Sequence, residues 1–259
     1  DLHSFPTRRS SDLSFKNKVT ALPDNNRSFE TNVYGATILT QVGSPVGVFY
    51  GYKTNGVYST AGQADADGKY IEKDNGDKVY FGGGDMNFTD LTPDKAINEN
   101  DRTVIGDPNP DIYGNIHTTF SWKNLTLTAM FNYSLGNDVF NYQRSLLEGG
   151  TYFLNQTTAV KNRWTTEGQN TDIPRASYKD PMGNSRFSDR WIEDGSYLRL
   201  SNVTISYFLP IQSTYLQGIT IFGNVNNLFT ITKYLGCDPD CAIAGGILTQ
   251  GIDRGQLGR

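Results

Sequence analysis

The sequence predicts an all-β chain, a partial antiparallel transmembrane β-barrel with long extracellular loops. Three observations carry the prediction. Apolar and polar residues alternate with period two from Asn115 to Ser134, the signature of a strand whose two faces meet different surroundings. Short turns alternate with two connections of more than about fifty residues, Ser59 to Tyr113 and Gly136 to Asp194, whereas compact soluble domains rarely carry structureless loops beyond about fifteen. No apolar run approaches the roughly twenty residues of a membrane helix, so any crossing of a bilayer falls to strands. Short turns on the periplasmic side and long loops outside are the barrel arrangement.

Three hairpins follow in order. Thr31 to Gln41 turns at Gly43-Ser44-Pro45 into Val46 to Tyr58. In the second, Ile116, Thr118, Phe120 and Trp122 alternate with Asn115, His117, Thr119 and Ser121; after Lys123-Asn124, Leu125, Leu127, Ala129, Phe131 and Tyr133 alternate with Thr126, Thr128, Asn132 and Ser134. Each of these strands is about ten residues, the length a tilted strand needs to cross the hydrocarbon core. Tyr197 to Leu209 then turns through Pro210 to Gln217 into Gly218 to Phe229. On this reading the strand ends at Tyr58, Ser134 and Phe229 point outward. The 15 Tyr, 14 Phe and 3 Trp suit aromatic girdles and would equally suit an ordinary sheet core.

A soluble alternative shares the alternation: a secreted glycan-binding β-sandwich or adhesin module. It would pack Ile116, Phe120, Leu125, Leu127, Val203, Ile205, Ile219 and Ile221 against a second sheet about 10 Å away, where a barrel leaves that row to lipid.

Residues 1–13 are set aside, because HSFPTRRSSDL from His3 to Leu13 resembles the translation of a sequencing adaptor and has no signal-peptide core. Residues 14–259 are read as the barrel part. A formal net charge of -4 argues against a nucleic-acid partner, which asks for a basic face.

Five segments in order carry a resemblance: GVFYGYKTNGVY (Gly47 to Tyr58), DLTPDKAINENDRTVIGDPNPDIYG (Asp90 to Gly114), GND (Gly136 to Asp138), DRWIEDGSYLRLSNVTISYFLP (Asp189 to Pro210) and NVNNLFTITKYLGCDPD (Asn224 to Asp240). Together they resemble the C-terminal part of the SusC/RagA-type TonB-linked outer-membrane transporters. The resemblance implies a piece of a 22-stranded barrel in the outer membrane of a Gram-negative bacterium, its apolar row against outer-membrane lipid. It further implies import of oligosaccharides or peptides, a SusD-like surface lipoprotein as partner, and coupling to the TonB complex through an N-terminal plug absent from this stretch. It also implies a final closing strand beyond the GID of Gly251 to Asp253, and the sequence finishes at Gln256 to Arg259 without one. A partial barrel with unpaired edges is not expected to insert by itself.

Candidate chemistry is sparse, and no enzyme activity is expected. Asp90, Thr92, Asp94, Lys95, Asn98 and Asp101 fall at positions one, three, five, six, nine and twelve of a calcium loop. Asp90, Asp94, Asn98 and Asp101 are therefore candidate calcium ligands, opposed by Lys95 where that loop needs glycine; a plain capped turn is the competing reading. Calcium is the one cofactor the sequence suggests. Cys237 and Cys241, around Asp238-Pro239-Asp240, read as a local disulfide or as two free thiols, and they lack the second ligand pair that zinc needs. His117 has no triad partners. Gly82 to Gly84 lacks the following Lys-Ser/Thr of a phosphate loop. Asp107 and Asp111, around Pro-Asn-Pro, read as a rigid turn rather than a glycosidase pair. The long segment 136–194 holds Tyr142, Tyr152, Phe153, Trp164, Tyr178, Phe187 and Trp191, rings that stack on sugars or anchor a lid if exposed and that pack the loop if buried.

Overall fold

The structure is a computed structural model and describes residues 7–14, 17–23, 26–211, 213–241 and 246–255. The chain divides into two compact units. The first contains Thr7–Ser14 with Pro110–Asn137 and Asp194–Tyr234; the second contains the described residues of 17–109, 138–193 and 235–255. Numbered along the chain, the strands are β1 (Thr7–Ser14), β2 (Ser28–Val33), β3 (Ala36–Gln41), β4 (Val48–Tyr52), β5 (Thr54–Val57), β6 (Tyr70–Glu72), β7 (Lys78–Tyr80), β8 (Met86–Phe88), β9 (Arg102–Gly106), β10 (Ile112–Trp122), β11 (Leu125–Leu135), β12 (Asp138–Asn141), β13 (Ile192–Asp194), β14 (Tyr197–Pro210), β15 (Gly218–Thr232) and β16 (Ile252–Asp253). Two short helices, α1 (Ala61–Asp67) and α2 (Tyr142–Glu148), interrupt them.

The first unit is one antiparallel sheet in the order β1-β10-β11-β14-β15. Its central hairpin turns where the sequence places it: Trp122 pairs with Leu125 across Lys123-Asn124, and Lys123 takes a left-handed φ of 53° to close the two-residue connection. β14 pairs along β11 from Leu125↔Tyr207 to Ser134↔Tyr197, and β15 along β14 from Pro210↔Gly218 to Tyr197↔Thr232. The outer strand β1 lies along β10 from Thr7↔Thr119 to Ser14↔Ile112. A free sheet edge bonds any backbone laid beside it, whatever the side chains, so this pairing is independent of where residues 7–13 come from. Residues 1–6 and 256–259 lie outside the described residues.

A bulge keeps the faces of this sheet in phase. Along β14 the apolar residues Leu198 and Leu200 are followed by Val203, Ile205, Tyr207 and Leu209, a slip of one in the period. The β11–β14 register shifts at the same height, between Met130↔Asn202 and Phe131↔Leu200, leaving Ser201 as the extra residue; its hydroxyl donates to Met130 O at 2.9 Å. β15 answers with its own irregularity between Asn226 and Phe229, where Asn227 has a φ of 50°. Without the bulge, half of the apolar residues would turn to the polar face.

The second unit corrects part of the sequence reading. The segment Thr31 to Tyr58 is not a wall hairpin of the long sheet. It supplies β2, β3 and β4, which form a four-stranded sheet with β9 in the order β2-β3-β4-β9. β2 turns into β3 at Tyr34-Gly35, both left-handed, and the turn at residues 43–45 brings Ile38 opposite Phe49. Ala36, Ile38, Leu39 and Thr40 are all buried, so β3 is covered on both faces, which a lipid-facing strand is not. The two long connections also fold. β5 pairs with β8, β6 with β7, and β12 with both β13 and β16. One core gathers Tyr58, Ala64, Phe81, Met86, Phe88, Ile97 and Met182; the other gathers Ala36, Ile38, Phe49, Phe140, Trp191 and Ile252.

Candidate functional site

The long sheet presents two chemically distinct faces. Register places Ile116, Phe120, Leu125, Leu127, Phe131, Leu198, Leu200, Val203, Ile205, Tyr207, Ile221 and Val225 in cross-strand pairs on one side. On the other side the same pairings set Asn115 beside Asn132, Thr119 beside Thr128, Thr204 beside Asn224 and Asn202 beside Asn226. The apolar face is open: Phe120 is 48% exposed, Ile205 52% and Ile221 58%. None of the eight residues that a sandwich would bury belongs to the buried class, and a contiguous apolar face of this kind marks contact with something other than water. The polar face is tied internally by amide and hydroxyl bonds: Asn202 Nδ2 donates to Asn226 Oδ1 at 2.8 Å and Asn224 Nδ2 to Thr204 Oγ1 at 2.7 Å. His117 sits there opposite Met130, and Arg199 donates from Nε to Thr230 Oγ1 at 3.1 Å.

In the second unit the rings of residues 136–194 part into two groups. Trp191 is buried, Tyr142 and Phe187 pack on the same core, and Trp164 is half-buried, its Nε1 donating to Ser59 O at 2.9 Å. Tyr152, Phe153, Leu154 and Tyr178 stand exposed, Phe153 at 93%. Phe153 and Tyr178 stack at 5.3 Å and 29°, with Lys179 Nζ 5.6 Å from the Tyr178 ring. Their backbones are held together by Ser177 N to Gly150 O (3.1 Å) and Lys179 N to Thr151 O (2.9 Å). The platform rests on a turn with Lys179 and Asp180 both left-handed, clamped where the Asp180 carboxylate accepts from Asn184 N, Ser185 N and Ser185 Oγ.

No family profile matches the chain. Among curated proteins, TonB-dependent receptor P3 of Formosa agariphila is 34% identical over 233 residues, covering 87% of this chain and 22% of that protein. TonB-dependent receptor SusC of Bacteroides thetaiotaomicron is 25% identical over 195 residues, covering 73% and 17%. Among solved structures, the RagAB peptide transporter aligns with a TM-score of 0.71 at 23% identity, covering 97% of this chain and 25% of the matched chain. The chain belongs to the SusC/RagA-type TonB-dependent receptors. It spans about a fifth of the length of the curated relatives it matches, and its long sheet is a piece of their barrel fold.

Besides strands that include β4, β5, β14 and part of β15, the segments by which this receptor stretch resembles SusC and RagA supply turns and buttresses. Gly136 of the GND segment has a φ of 82°, and a Cβ there would meet Asp111 Oδ2 at 2.5 Å. Asn137 Oδ1 accepts from Ser134 Oγ at 2.8 Å and Asp138 Oδ2 from Asp107 N at 2.8 Å. Gly251 of the GID segment is left-handed, with room for no side chain between Pro108 and Asp138 O, and it brings the buried Ile252 opposite Phe140. Asp189 of the DRW segment accepts from both Thr54 N and Thr54 Oγ1. Asp107 Oδ1 accepts from Asn109 N and Nδ2, a side-chain-closed turn.

The four candidate calcium ligands are brought into one turn, each bonded to backbone. Asp90 Oδ2 accepts from Lys95 N, Asp94 Oδ1 from Ala96 N, and Asn98 Oδ1 from Asn100 N, all at 2.8 Å. Asp101, wholly buried, takes Leu91 N, Thr92 N and Thr92 Oγ1 on Oδ1 and Asn98 N on Oδ2. Among the described residues no three His, Cys, Asp or Glu side chains gather as a metal-holding group. Cys237 and Cys241 are free. Burial, with Asp253, Asp238 and Asp240 nearby, pushes the Cys241 thiol up to about 12, which keeps it protonated and unreactive at neutral pH.

Sequence reading missed Asp85. It is wholly buried and gripped at 2.8 Å by Nε and Nη2 of Arg175, with Asn184 Nδ2 and Gly82 N also donating. Its side-chain partners Arg175 and Asn184 lie 90 and 99 positions away along the chain, and no local spacing announces them.

Proposed function

We propose that this chain supplies barrel wall and loop body to a TonB-dependent transporter in the outer membrane of a Gram-negative bacterium, one that imports oligosaccharides or peptides together with a SusD-like lipoprotein. The open apolar face of the long sheet, backed by an amide- and hydroxyl-rich one, supports this reading best: lipid meets the first and water or cargo the second. The matched relatives are called receptors, and the matched RagAB structures a peptide importer or transporter, in keeping with a non-catalytic role. Energy coupling would come from a TonB-contacting segment elsewhere in the intact protein. Within the loop body, Tyr152, Phe153 and Tyr178 are our assigned contacts for cargo or for the lipoprotein lid, since rigid exposed rings stack on sugar faces and anchor protein interfaces.

The test uses the intact receptor in its native membrane. Uptake of labelled oligosaccharides and peptides should be lost on deletion and reduced at least tenfold by Phe153→Ala with Tyr178→Ala, with normal membrane levels. Recovery of the intact protein in the aqueous phase without detergent would overturn the membrane assignment.

Calcium at Asp90, Asp94, Asn98 and Asp101 is a separate proposal, supported by Asp90 Oδ1, which is buried without a hydrogen-bond partner among the described residues. Titration calorimetry decides it: calcium heat that disappears in Asp90→Asn supports the site, and an absence of heat overturns it.

A further inference from the structure

Among the described residues Arg190 carries a buried guanidinium nitrogen that makes no hydrogen bond. Arg190 lies in the single turn Asp189–Trp191, and α2 brings Arg144 to it, Arg144 Nη2 donating to Arg190 O. Both cations lie against the Trp191 ring, Arg190 Cζ at 4.2 Å and Arg144 Cζ at 5.5 Å from its centroid. Arg144 is answered by Glu193 at 3.1 Å and Glu148 at 3.9 Å. Arg190 has no such close pair, and Glu148, Asp180 and Asp172 act on it from farther away. It donates a long bond from Nη2 to Glu148 O at 3.4 Å, and its Nη1 is buried without a hydrogen-bond partner among the described residues.

Two further donors share that condition. Arg144 Nε, which faces Glu148 at an ion-pair distance of 3.9 Å, and the hydroxyl of Ser188, the fully buried residue that opens the turn, also make no hydrogen bond. Of the four buried polar side-chain atoms left without partners among the described residues, these are three, and all three are donors. A buried cation is costly unless paired and hydrogen-bonded. The face of Trp191 offsets part of that cost but accepts none of the three hydrogen bonds.

We propose that Arg190, Arg144 and Ser188 bind a small oxyanion, a carboxylate or a phosphoryl group. Guanidinium forks match the geometry of both, and the serine hydroxyl supplies a third donor. A water molecule would accept these hydrogen bonds but leave Arg190 without a close counter-charge. Burial, then the charge of Arg144, lowers Arg190 to about 10 against the opposing pull of Glu148, Asp180 and Asp172; a bound anion would add to that pull, and the group stays cationic at neutral pH. The side chain of Arg144 keeps 19% of its surface exposed, which leaves a solvent approach. This inference does not depend on what the receptor imports.

Thermal unfolding of the intact receptor in detergent tests it, with inorganic phosphate or acetate replacing chloride at constant ionic strength. The wild type should show a saturable rise in Tm with one of the two oxyanions over chloride, phosphate leading for a phosphoryl ligand and acetate for a carboxylate. Ser188→Ala should weaken the apparent affinity several-fold, and Arg190→Gln should abolish the response. Equal Tm in all three salts for the wild type overturns the site. A response in Ser188→Ala and Arg190→Gln identical to wild type overturns it as well, and Ser188→Ala decides alone if Arg190→Gln does not fold.

Discussion

Asp101 sits fully buried with four donors on its carboxylate, so it ties its turn together whatever the outcome of the calcium test. Removing it in Asp101→Ala strands those donors and should destabilise the receptor by about 3 kcal/mol or more in denaturant unfolding. Tyr58 gives a pH signature. Burial first, then its 2.5 Å bond to Asp67 and the charges of Asp67 and Asp85, raise its pKa. The folded chain thus holds this proton more tightly than the unfolded chain, whose tyrosine titrates near ~10. Its contribution is complete below that pH and declines as pH rises beyond it. Stability measured from pH 8 to 11 should fall in the wild type and fall less steeply in Tyr58→Phe.

At the scale of elements, the turn at Lys123 and the bulge at Ser201 fix the wall. Lys123 takes a left-handed φ and rests its Nζ 5.1 Å from the Trp122 ring. Lys123→Gly relieves strain while losing the ring contact and should be neutral within about 0.5 kcal/mol; Lys123→Val, strained at that φ, should cost about 1–2 kcal/mol. Both values come from unfolding of the intact receptor. What the sequence disclosed also differs by element. The β10–β11 hairpin is readable to the residue of its turn, because its apolar residues all fall on one open face and the period-two pattern survives. β3 was misplaced because burial on both faces erases that pattern, and a short doubly covered strand then resembles any apolar run. The rings at 152, 153 and 178 could not be sorted from Phe187 or Trp191, since ring type says nothing about exposure. Asp85 and Arg175 meet only through the fold.

For the whole molecule, the two faces of the long sheet make a directional prediction. Ile205→Arg sets a charge on the apolar face and should lower stability in lipid vesicles by about 2–4 kcal/mol if it lies near the midplane. Ser206→Arg, one residue on and facing the polar side, should cost under about 1 kcal/mol. Equal losses would contradict the assignment of faces. The second unit, with two cores built from its own residues, accounts for how segments too long for ordinary loops hold fixed shapes.

The Ser201 bulge has a bearing on how such a wall changes over time. Since three neighbouring strands share one frame at that height, a codon gained or lost in a single strand scrambles everything beyond it. Only a matched change next door restores the order. Lineages of this sheet should therefore lengthen or shorten in concerted steps, and a comparison of its descendants that opens a gap in one strand alone has been drawn in the wrong place.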